Sequence, residues 1–149
     1  MKIKLIILLM IISVPALAQE KTAVHDRQAK TMLLGRHKVS LQWISWDHFG
    51  TATVTERAGI LRIKGEQRGR GRGNNDYVTV EGMIVSVDKK QFVLDGTIIS
   101  RVSHINGGKP CKRQGAFSFK ITGKRKYWRM QEMDNPCDEA TDYVDIYFK

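Results

Sequence analysis

The chain has 149 residues and a formal net charge of +10, from 25 Lys and Arg against 15 Asp and Glu, with two Cys and three Pro. A chain of this size carries one compact unit rather than two. Its longest apolar run falls well short of the roughly 20 residues that a membrane-crossing helix needs.

Residues 1–18 read as a secretory signal peptide. Lys2 and Lys4 precede the apolar run LIILLMII, and SVPALA ends in the small-residue pattern Ala16-x-Ala18. Cleavage there starts the mature chain near Gln19, with 149 − 18 = 131 residues and a charge of 23 − 15 = +8. The residue immediately after the cleavage point is Gln19 and not a Cys that could carry a lipid anchor. The expected location is exported, periplasmic or extracellular, with no transmembrane segment in the mature form.

Residues 19–35 form an N-terminal segment in which AVHDRQAKTMLL supports a short helix before Gly35, or a flexible lead-in. Residues 36–149 read as one all-β domain, because apolar and polar residues alternate with period two between Gly, Asn and Asp breaks. About eight strands are expected, over 37–46, 50–56, 59–67, 76–87, 90–104, 114–123, 125–132 and 140–148.

Three hairpins can be checked for agreement between their apolar faces. Folding at ERAG sets Val54 against Leu61 and Ala52 against Ile63. Turning at Lys89 and Lys90 sets Val87 against Phe92, Val85 against Leu94 and Met83 against Gly96. Turning at Lys124 and Arg125 sets Ile121 against Trp128 and Phe119 against Met130, with Lys120 and Arg129 outside. Consecutive hairpins with interior glycines predict an antiparallel up-and-down barrel, with a two-sheet β-sandwich as the alternative. The inward set runs from Leu41 and Trp43 through Val54, Ile63, Val85 and Leu94 to Phe119, Trp128 and Ile146. Trp43 and Trp46 are expected on opposite faces of the first strand.

In an exported protein Cys111 and Cys137 are expected to form a disulfide. Their spacing closes a loop of 137 − 111 = 26 residues, worth about 3.5 kcal/mol by chain entropy.

The strings LQWISWDHFG, SHINGGKPC, GKRKYWRMQEMDNPC and DYVDIYF resemble a family of uncharacterised exported bacterial proteins, a likeness that brings no activity with it. Eight meandering strands with an aromatic-rich first strand also resemble the lipocalin and avidin barrels, which implies a small apolar ligand inside. The likeness is one of architecture, since the lipocalin Gly-x-Trp is missing and Gln42 precedes Trp43.

Catalytic and metal patterns are poor. His25, His37, His48 and His104 show no ligand spacing, no Ser lies in a GxSxG setting, and Asp134, Asp138, Glu139 and Asp142 lack the pattern of a calcium loop. No cofactor, metal or nucleic acid is expected, and RGRGRGNND (68–76) reads as a flexible hairpin loop. The expected function is a non-catalytic binding module for a small molecule or a macromolecule, with Trp43, Trp128, Phe119 and Met130 lining the ligand.

Charge suggests a second reading. Lys109 to Arg129 holds eight Lys or Arg and no acid, while Met130 to Phe148 holds six acids and no base. Lys124, Arg125, Lys126 and Arg129 then form a surface for an anionic lipid or polysaccharide. A third reading is a small hydrolase assembled in space, for instance from Glu132 and His104.

Overall fold

The structure is a computed structural model that describes residues 19–149; the signal peptide expected over residues 1–18 lies outside the described residues. Nine strands and one helix follow in order: β1 (Ala23–Val24), α1 (Arg27–Leu33), β2 (Gly35–Leu41), β3 (Gly50–Arg57), β4 (Ile60–Arg68), β5 (Tyr77–Asp88), β6 (Gln91–Arg101), β7 (Cys111–Lys120), β8 (Tyr127–Met130) and β9 (Val144–Tyr147). Each of β2 to β9 pairs antiparallel with the next, and β9 returns to β2 through Val39↔Ile146 and Leu41↔Val144. The sheet is therefore a closed eight-stranded barrel, and the sandwich alternative falls away. β1 adds a short parallel pairing, Val24 to Val87 of β5, just beyond the β3–β4 turn.

Closure sorts the connections between two ends. The β3–β4, β5–β6 and β7–β8 turns lie at one end with α1 and the C-terminus; the connections 42–49, 69–76, 102–110 and 131–143 lie at the other. Asp26 caps α1 by accepting the Ala29 amide at 2.7 Å, and the helix buries Ala29 and Leu33 against the barrel core. His37 ties this end together, one ring nitrogen 2.7 Å from the Leu33 carbonyl and the other 2.8 Å from that of Tyr147.

The interior is packed with side chains. Phe92 stacks on Phe119 with centroids 4.8 Å apart, Trp128 meets Phe92 edge-on at 5.9 Å, and Leu41, Ile63, Leu94, Met130 and Ile146 are fully buried around them. Eight strands enclose a space that such side chains can fill.

Two hairpin registers differ from expectation. The first turn uses Ala58 and Gly59, both left-handed at φ 51° and 77°, so Val54 faces Ile63 and Ala52 faces Gly65. The shift is by two residues and leaves the faces unchanged. In the second hairpin Val87 faces Phe92 as expected, but a bulge between Ile84 and Ser86 sets Ile84, not Val85, opposite Leu94, and Met83 opposite Asp95. Val85 is accordingly only half-buried. Gly82 and Gly96 face each other beside this bulge, where a Cβ on Gly82 would lie 2.4 Å from the Asp95 carbonyl oxygen. In the third hairpin Phe119 faces Met130 and Lys120 faces Arg129, as expected.

The first strand ends at Leu41 rather than at 46. The Gln67 carboxamide accepts the Leu41 amide at 2.7 Å and donates to the carbonyls of Ser45 and His48, while Ser45 Oγ accepts the Asp47 and His48 amides. This local bonding replaces the ladder and turns the chain. Trp43 and Trp46 thus sit on a connection instead of on opposite strand faces, and both are exposed, by 37% and 55%. β6 likewise ends at Arg101 instead of 104, and β9 covers 144–147.

Candidate anion-binding surface

Barrel closure brings the outward side chains of β2, β3 and β9 to the start of β8. An open groove of about 900 Å³ forms there, walled by Arg36, Lys38, Phe49, Thr51, Lys126, Tyr147, Phe148 and Lys149. Phe49 and Tyr147 meet edge-on at 5.0 Å, with Lys38 Nζ 5.5 Å from the Phe49 centroid and Tyr127 at 5.2 Å from Tyr147. Cations held against ring faces keep their charge toward solvent while their stems pack.

A second groove, of about 470 Å³, opens at the adjoining barrel end. Lys89 and Lys90 of the β5–β6 turn, Lys124, Arg125 and Lys126 of the β7–β8 turn, and the half-buried Met32, Ile121 and Phe148 wall it. The two grooves share Lys126 and Phe148 and so form one surface, in which no acid lines either wall. Among the described residues Arg36, Lys38, Lys89, Lys90, Lys124, Arg125, Lys126 and Lys149 enter no ion pair. Unneutralised charge of one sign beside low-dielectric walls raises the local potential.

Of the cations expected on this surface, Lys124, Arg125 and Lys126 are brought together. Arg129 is taken up elsewhere, because its guanidinium binds Asp145 through two bonds of 2.8 and 2.7 Å and lies 4.1 Å from the Tyr143 centroid. The Asp145 bond raises the pKa of Arg129, so this cation is neutralised at the barrel wall.

Of the expected ligand-lining residues, three lie together in the core and Trp43 stands apart from them. Phe119, Trp128 and Met130 are buried core, and none of them lines the grooves around Lys38, Arg113, Trp43, Lys124 or Lys64. Trp43 stands at the far end, 5.8 Å from His104 and edge-on to it. That end is built on buried polar groups. Trp43 Nε1–H donates to Asp142, Asn135 Nδ2 donates to the other Asp142 oxygen, and Arg113 lies 3.8 Å from the same carboxylate. Burial pushes the Asp142 carboxyl up and the Arg113 guanidinium down. The Cys111–Cys137 disulfide, with a Cα separation of 5.9 Å, staples this network to β7.

Glu132 and His104 line separate grooves, and the Glu132 carboxylate accepts the Ser118 amide. Among the described residues no three His, Cys, Asp or Glu gather as metal ligands, and no helix is long and apolar enough to cross a membrane.

Fold and site together define a small closed antiparallel β-barrel, filled with side chains, stapled at one end by a disulfide and basic at the other. The chain belongs to the PM1083 family, which matches residues 21–148 and so includes all four strings noted in the sequence. It is 45% identical over 137 residues to "Uncharacterized protein PM1083" of Pasteurella multocida strain Pm70, an alignment covering 92% of this chain and 87% of that protein. No solved structure matches it.

Proposed function

We propose that the protein is an exported, non-catalytic binding module that holds an anionic envelope partner on the outside of its basic end. The observation that carries this reading is the continuous surface of unpaired cations and aromatic rings, walled by Lys38, Lys89, Lys124, Arg125, Lys126 and Tyr147 and free of acids. Export is supported by the Cys111–Cys137 disulfide, which persists in oxidising compartments. The packed interior favours recognition on the wall over a ligand held inside, as the lipocalin likeness implied. The non-catalytic character is supported by the structural duties of the buried titratable groups: His37 bonds two carbonyls, Asp145 holds Arg129, and Asp76 holds Arg101 and the Ser103 amide.

The test is a titration with a fluorescent polyphosphate. The variant carrying Lys124→Ser, Arg125→Ser and Lys126→Ser should bind at least tenfold more weakly, and the wild-type affinity should fall steeply with salt as surface charges are screened. Equal affinity of the two proteins contradicts the reading.

A further inference from the structure

Resting on that reading of the basic end, we infer that the partner is an anionic bilayer surface, on which the barrel stands end-on. Several independent features point there. The cations at the tip come from separate turns, Lys89 and Lys90 from one and Lys124 to Lys126 from another. They therefore spread over an end face instead of converging on one small ion. A planar array of lipid phosphates is complementary to such a spread.

Met32, Ile121 and Phe148 lie among these cations. Each packs partly against the core and keeps part of its surface in the same groove. An apolar patch within a basic rim can settle at the boundary between headgroups and acyl chains while the lysines reach phosphates.

The chain also enters the barrel at this end. The Thr22 amide donates to the Gly59 carbonyl in the β3–β4 turn, and the Lys21 side chain packs on Gly59.

The opposite end suits solvent better. There Asp134, Asp138 and Glu139 stand exposed outside any ion pair among the described residues, whereas at the basic end the exposed Asp88 is outnumbered by Lys89, Lys90, Lys124, Arg125 and Lys126. Arg70 and Arg72 also belong to that end, on the 69–76 connection, and supply the control.

The experiment uses the chain from Gln19 to Lys149, which contains every described element. Its binding to phosphatidylcholine vesicles with and without phosphatidylglycerol is compared with its binding to polyphosphate, near-ultraviolet circular dichroism verifying each variant's fold. The expected result is salt-sensitive binding to the phosphatidylglycerol vesicles alone. The triple variant Lys124→Ser, Arg125→Ser, Lys126→Ser should lose roughly 100-fold of it, and Arg70→Ser with Arg72→Ser should change it by less than about twofold. Met32→Ser should weaken vesicle binding by a larger factor than polyphosphate binding; an equal effect on the two probes argues against apolar insertion. Polyphosphate binding without vesicle binding overturns the bilayer inference and leaves the basic-end reading standing. A triple variant equal to wild type on both probes overturns both. A loss confined to the Arg70 and Arg72 variant overturns the orientation.

Discussion

Asp138 and Asp142 share one connection and are pushed in opposite directions. Asp138 accepts the Asn106 amide at 2.6 Å and the Glu139 amide at 2.7 Å, which holds its carboxyl below the usual range; burial raises Asp142. The consequences for stability have opposite sign. Asp138 stabilises the fold above the ordinary carboxylate range, and that contribution is lost as pH falls through its lowered value. The Asp142 contribution is complete below the ordinary range and is lost as pH rises through its raised value. Carboxyl-carbon NMR should find the Asp138 midpoint below that of a free aspartate and the Asp142 midpoint above it. Coincident midpoints contradict the hydrogen-bonding described for this connection. Ala58 offers a second check at the same scale, because its φ of 51° suits Asn better. Ala58→Asn should raise the unfolding free energy by about 0.5–1 kcal/mol in denaturant melts; no gain argues against the left-handed turn.

At the scale of elements, most of the sheet was legible because alternation reports strand phase directly. The third hairpin keeps its expected register at Phe119–Met130 and Lys120–Arg129 because those faces alternate cleanly. Its turn, however, centres on Gly123 and Lys124, and the ladder ends at Lys120, leaving Ile121 to donate its amide to the Lys90 carbonyl instead of pairing with Trp128. The second failed midway because period two cannot show an inserted residue: Ile84, Val85 and Val87 are all good core residues, and the bulge chooses among them. The first strand was overextended for a different reason. Gln67 lies on β4, 26 positions from Leu41, and no local pattern announces that its carboxamide will end β2. The strand phase makes Phe119→Ala cost roughly 3–5 kcal/mol by cavity formation, measured from equilibrium unfolding; under about 1 kcal/mol contradicts its place in the packed interior. Replacing Cys111 and Cys137 together by Ser should lower stability by about 3.5 kcal/mol through loop entropy. A disulfide-free chain of unchanged midpoint would show that the staple adds nothing.

For the whole molecule, closure is what the sequence could least display, and it is closure that makes the site. GKRK stood out as a basic run, whereas DKKQ read as an ordinary turn. Alternate turns of an up-and-down barrel share an end, so Lys89 and Lys90 join Lys124 to Lys126 across 34 or more residues of chain. Arg36, Lys38 and Lys149 arrive by the β9–β2 pairing, which links the two ends of the chain. Arg129 lies on the outer face as the alternation indicates, but a charge run does not reveal that Asp145 stands beside it and takes up its guanidinium. The central claim is that the ligand meets the basic end from outside. Amide chemical-shift mapping of the folded chain during a polyphosphate titration tests it most directly. The account predicts shifts gathered at residues 36–38, 89–90, 124–126 and 147–149, with Phe119, Met130 and Trp43 unmoved; shifts centred on the barrel interior or on Trp43 and His104 would contradict it.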